Sequence, residues 1–182
     1  MVYKFKLVSD EVSNFAREIE IDSENTFLQL RNVILDAVGY SKDELDSFFL
    51  CDDEWGKHEE VTLEDMGSSS DQDVWLMEDT PLSELVEEEG QKLCFMFDYM
   101  TERSFFMELK EIITGRHLVE PVCTLQRGKA PAQTIDLDDF ESKIDKAAAV
   151  AAAKDDLDID FYGDAGFNDD ELANFSDDLN LN

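Results

Sequence analysis

The stretch Leu93-Cys94-Phe95-Met96-Phe97-Asp98-Tyr99 is apolar on both alternating faces, with Asp98 as the exception. A strand of that kind is central in its sheet, because neither face suits water. Only the link Thr101-Glu102-Arg103 separates it from Phe105, Met107 and Leu109, which alternate with Glu108 and Lys110. The two segments read as a hairpin, the second strand being apolar on one face.

The N-terminal part supplies partners for such a sheet. Tyr3, Phe5 and Leu7 alternate with Lys4 and Lys6, and Phe15, Ile19 and Ile21 share a face opposite Glu18 and Glu20. A polar link between them predicts a second hairpin. A helix follows, capped by Ser23 or Asn25. Its apolar stripe is Phe27, Leu30, Val33, Ile34 and Ala37, and Gly39 stops it. Phe48-Phe49-Leu50-Cys51 predicts another strand, and Val61 to Leu63 and Val74 to Met77 shorter ones. Thr80-Pro81 opens a short helix through Leu82, Leu85 and Val86, with proline at its first position. Residues 114–135 read as irregular. The fold class is therefore α+β: a mixed sheet with a strand-strand-helix start and a closing hairpin.

The last part differs in kind. Residues 136–182 hold 15 acidic and 3 basic residues and carry −12, which leaves −18 on the rest. Residues 133–154 read as a linker, with a helical segment over Ala147 to Ala153. Residues 155–182 scatter Phe161, Tyr162, Phe167 and Phe175 among acids, the pattern of a disordered tail that orders on a partner. The organisation expected is a domain over 1–132, a linker over 133–154 and an acidic tail over 155–182.

The formal charge of −30 disfavours direct binding to nucleic acid or to anionic membranes, which rewards Lys and Arg. It fits a basic partner or plain solubility. No window approaches the roughly 20 apolar residues of a membrane helix. The N-terminus lacks the apolar core of a secretory signal, so a cytoplasmic location is expected.

Signals for chemistry are sparse. The three cysteines, Cys51, Cys94 and Cys123, are far apart in sequence and suit neither a disulfide framework nor a zinc site. Cys51 and Cys94 lie in apolar strands and read as small buried hydrophobes. The only histidines, His58 and His117, sit in loops without a nucleophile beside them. There is no phosphate loop. Asp156, Asp158, Asp160 and Gly163 lack the register of a calcium loop. No catalytic residue, metal or cofactor is therefore expected. Asp98 stands out as an acid in an apolar strand, which needs a partner or a raised pKa. It reads first as a structural acid paired with Arg103 or capping the hairpin, and second as a site residue.

Three segments together carry a family likeness: Glu18-Ile19-Glu20-Ile21 with Phe27-Leu28-Gln29-Leu30, the strand Leu93 to Tyr99, and Val122-Cys123-Thr124-Leu125-Gln126-Arg127-Gly128-Lys129-Ala130-Pro131. Through them residues 3–132 resemble the plasmid pRiA4b ORF-3-like family, whose members also occur as passenger proteins of mobile elements. The resemblance implies an α+β fold with a ubiquitin-like, β-grasp flavour, and no settled activity. After Asp98-Tyr99 this chain reads Met100-Thr101, where the family usually has Gly and a second Asp.

Function is then expected from the tail. A non-catalytic interaction module docking a protein partner through Phe161, Tyr162, Phe167 and Phe175 is the first expectation. An acidic mimic of nucleic acid that binds a DNA-handling protein is the second. An enzyme with a site near Asp98 is the third.

Overall fold

The structure, a computed structural model, describes residues 1–65, 67 and 74–135. Nearly all of these lie in one unit, Met1–Thr134. The Ala-rich segment, the acidic tail and the four tail aromatics Phe161, Tyr162, Phe167 and Phe175 lie outside the described residues.

The elements in chain order are β1 (Val2–Val8), β2 (Ala16–Asp22), α1 (Phe27–Val38), β3 (Ser47–Cys51), β4 (Lys57–Thr62), β5 (Trp75–Leu76), α2 (Leu82–Leu85), β6 (Lys92–Asp98), β7 (Arg103–Ile113) and β8 (Val122–Arg127). The strands make one eight-stranded sheet in the order β5-β4-β3-β6-β7-β1-β2-β8. Its pairings are antiparallel except β4 with β5, so the sheet is mixed and the class is α+β. The apolar strand β6 does fall in the middle, between β3 and β7.

Register puts the apolar sets on one face. Phe5 lies opposite Ile19 and Leu109, and Leu7 opposite Met107. Phe95 lies between Phe48 and Phe105. Phe5, Phe15, Phe27, Phe48, Phe95 and Phe105 are fully buried there. Each such ring contributes about 2–3 kcal/mol of hydrophobic stabilisation relative to exposure. Helix α1 covers this face through Phe27, Leu30, Ile34 and Leu35. Leu35 and Arg31 complete the stripe, and Val33 and Ala37 are only half-buried, because 3.6 residues per turn return to the same side at 31 and 35.

The other face carries charge in ladders. Lys4 lies opposite Glu20 and Glu111, Lys6 opposite Glu18 and Glu108, and Lys92 opposite Glu108.

Three local expectations are corrected. The cap of α1 is Thr26, whose N–H donates to Gln29 Oε1 at 2.9 Å, rather than Ser23 or Asn25. The carbonyls of Ser23 and Asn25 instead accept from the Ser83 and Leu82 N–H groups, so these residues dock α2 beside the helix start. Pro81 precedes α2 as its cap in extended backbone, one residue earlier than expected. The stretch after Ile113 is not all irregular: β8 pairs antiparallel with β2 at the sheet edge. The β6–β7 hairpin is thus central, and β8 is the closing strand. Val122 and Leu125, at 42% and 39% exposure, give β8 no buried periodicity to read.

Arg17 ties this edge down. Its side chain is buried and donates to the carbonyls of Ala37, Ala16, Arg127 and Gly128 at 2.8–3.1 Å. One guanidinium thereby joins β2, the end of α1 and the end of β8. No helix among the described residues is long and apolar enough to cross a membrane.

Candidate functional site

Strands β3 and β4 set Ser47 opposite Thr62 and Phe49 opposite Glu60. Tyr99 leaves the end of β6 and reaches back over them. Together with the loop before β3 they enclose a cleft of about 350 Å³, lined by Leu45, Asp46, Ser47, Glu60, Thr62, Leu63, Glu64 and Tyr99. Leu45 and Leu63 make its walls apolar.

A hydrogen-bond chain runs along the cleft. The hydroxyls of Ser47 and Tyr99 are bonded to each other. Tyr99 also donates to Glu60 Oε1 at 2.9 Å. Burial and the Glu60 carboxylate push the Tyr99 hydroxyl up to about 12, against the opposing pull of Ser47. Tyr99 therefore stays protonated and holds Glu60 in place. Thr62 Oγ1 is buried with no hydrogen-bond partner among the described residues.

The floor is fixed by an ion pair. Arg31 Nε meets Asp46 Oδ1 and Oδ2 at 2.6 and 2.8 Å, and its Nη2 donates to the carbonyls of Lys42 and Glu44. Both side chains are almost wholly buried. Burial pushes the Asp46 carboxyl up, opposed by its bond to Arg31. The pair pins the loop 42–46 to α1. The net result is a preformed pocket with apolar walls, oxygen acceptors and the carboxylate of Glu64 at an exposed edge. The lining includes no His, Cys or Lys, and Ser47 is engaged by a phenol rather than a base. Apolar walls with carboxylates beside them can take a cationic group on an aliphatic stem.

Asp98, His58 and His117, singled out in the sequence, fall elsewhere. Asp98 caps the β6–β7 turn: Oδ1 accepts from the Met100 and Thr101 N–H groups, and Oδ2 accepts from Thr101 Oγ1 at 2.6 Å. Arg103 lies 3.5 Å from it. Burial raises the Asp98 carboxyl, but these bonds and the Arg103 charge outweigh it and leave the pKa lowered. His58 pairs with Asp52, and His117 with Asp22, each with an exposed ring. The acids 52–54 form a turn in which Asp52 Oδ1 accepts from Glu54 and Gly56 N–H. Glu87, Glu88 and Glu89 lie past the end of α2, and Glu89 accepts from Ile112 N–H at 2.7 Å. The cleft was not visible in the sequence, because its members come from segments up to about fifty positions apart. The one signal was Tyr99, a phenol closing an otherwise apolar strand.

Comparisons with known proteins add the fold and the family. No curated protein matches the chain. A solved structure of a protein of unknown function, MM3350 from Methanosarcina mazei Go1, is similar at 18% identity over 69% of this chain and 68% of that one, with a TM-score of 0.52. At that identity the likeness concerns the fold alone. A family model described as plasmid pRiA4b ORF-3-like protein matches residues 2–168, which include every strand of the sheet and the cleft. The chain belongs to the plasmid pRiA4b ORF-3-like family.

Proposed function

We propose that this protein is a non-catalytic interaction module whose cleft takes a Lys or Arg side chain from a basic partner protein. The observation that carries this reading is the pairing of apolar walls, Leu45 and Leu63, with the carboxylates of Glu60 and Glu64 in one preformed pocket. A long cationic side chain buries its aliphatic stem while its head seeks acceptors. The Tyr99 ring adds a face for the cation. The charge of −30 draws basic partners toward the molecule and argues against direct contact with nucleic acid.

In this reading the tail, 155–182, also docks the partner protein. Phe161, Tyr162, Phe167 and Phe175 supply apolar area to it. A cytoplasmic setting and carriage by mobile elements belong to the same proposal. So does the β-grasp likeness, which is supported by the β1–β2 hairpin followed directly by α1.

The test is calorimetric titration of the full chain with an Arg- and Lys-rich peptide. Glu60→Gln is expected to weaken binding about tenfold, or about 1.4 kcal/mol. Replacing the four tail aromatics with Ala is expected to weaken it further. Equal affinity for wild type and Glu60→Gln would count against the cleft. A steep salt dependence that Glu60→Gln leaves unchanged would favour acidic mimicry of nucleic acid instead.

A further inference from the structure

Cys51 and Cys94 are 43 positions apart in sequence, yet their sulfurs are 3.5 Å apart in the fold. The register explains the meeting. Phe49 lies opposite Cys94 across β3 and β6. Cys51 is two residues further along β3, and a period of two returns it to the same face. Both thiols are free, Cys94 buried and Cys51 partly exposed. Cys51 ends its strand and adjoins the turn 52–56, whereas Cys94 is inside β6 and borders a cleft of about 220 Å³ shared with Trp55, Lys57 and Phe106. The environment differs between the two sulfurs. The contact with Cys94 and the Lys57 charge hold the Cys51 thiol below its usual range against burial. Its bond to Cys51 and burial push Cys94 up.

We propose that Cys51 and Cys94 form a dithiol site that reduces hydroperoxides and closes as a disulfide. Cys51, as thiolate, attacks the terminal oxygen of the hydroperoxide. The O–O bond breaks, its electron pair leaves with the alkoxide, and that alkoxide takes a proton to become alcohol (water, from hydrogen peroxide). Cys51 is left as a sulfenic acid. The Cys94 sulfur then attacks the Cys51 sulfur: the S–S bond forms, the S–O bond breaks, and hydroxide leaves with the Cys94 proton as water. The dithiol loses two electrons and the hydroperoxide gains them. A disulfide needs about 2.0 Å between sulfurs, so the atoms must approach by about 1.5 Å. Cys123, in β8 at the far end of the sheet, has no place in the step and is an internal control.

The experiment treats the full chain with equimolar hydrogen peroxide, counts free thiols and maps peptides by mass. The expected result is loss of two of the three thiols, with the Cys51 and Cys94 peptides joined by a bond that a reductant opens. Cys123→Ser should leave this unchanged. Cys94→Ser should trap Cys51 as a sulfenic acid that dimedone labels. Cys51→Ser, at a partly exposed position, should slow thiol loss by about tenfold or more. Because the main readout uses the wild-type chain, it does not depend on any variant folding. Links to Cys123, Cys51 oxidised without joining Cys94, or three thiols surviving peroxide that oxidises free cysteine would each overturn the proposal.

Discussion

Arg17, Arg31 and Asp98 show how this acidic chain uses its few charged groups inside. Each is surrounded by partners: four carbonyls for Arg17, a carboxylate and two carbonyls for Arg31, and a turn with its hydroxyl for Asp98. A buried charge without such company would cost several kcal/mol. Asp98 also has a pH consequence. Its folded-state pKa is lowered below the ordinary 3.8. Its contribution is therefore present above the unfolded pKa and is lost as pH falls through the folded one. Asp98→Asn is expected to lower stability by about 1–2 kcal/mol near neutral pH, the worth of hydrogen bonds to a charged group. The gap between wild type and variant should close as pH falls below the ordinary 3.8 and through the lowered folded-state value. Urea midpoints for both chains across that range measure it, and a pH-independent gap would reject the assignment. That Asp98 needed a partner was readable from one acid in an apolar strand. That Arg17 and Arg31 would be buried was not, since no periodicity marks a cation whose acceptors are distant backbone carbonyls.

Among the elements, the strands with a core face were legible, as was β5 at one edge, but β8 at the other edge was not. β1, β2, β6 and β7 carry alternating or continuous apolar runs, because each presents side chains to α1 or to a neighbour. β8 is exposed at every position but Cys123 and is recognisable by pairing alone. Its exit depends on Gly128, which has a φ of 68° and would place a Cβ 2.6 Å from the Asn14 carbonyl oxygen. Gly39 has a similar φ of 74° but nothing within 4 Å of an added Cβ. Gly39→Ala should therefore cost about 1 kcal/mol, the left-handed penalty alone. Gly128→Ala should cost about 2–3 kcal/mol, because the loop backbone at Asn14 must also move. Thermal unfolding of the two variants decides this; equal losses would mean the β8 exit is more compliant than its geometry suggests. The cleft escaped sequence reading for a related reason. Ser47, Glu60, Thr62 and Tyr99 become neighbours only through the β4-β3-β6 order, and only Tyr99 lies in a segment that carries the family likeness.

At the scale of the molecule, a sheet with one greasy and one charge-laddered face carries a preformed acid-edged cleft near one end. The aromatics of the tail fall outside the described residues, so their part in binding is the proposal's and the cleft is the feature with geometry behind it. Nuclear magnetic resonance of the full chain, titrated with an Arg- and Lys-rich peptide, tests the claim most directly. The account predicts that backbone shifts concentrate at Leu45, Ser47, Glu60, Thr62 and Tyr99. Shifts spread evenly over the acidic surface, with those five unmoved, would contradict it.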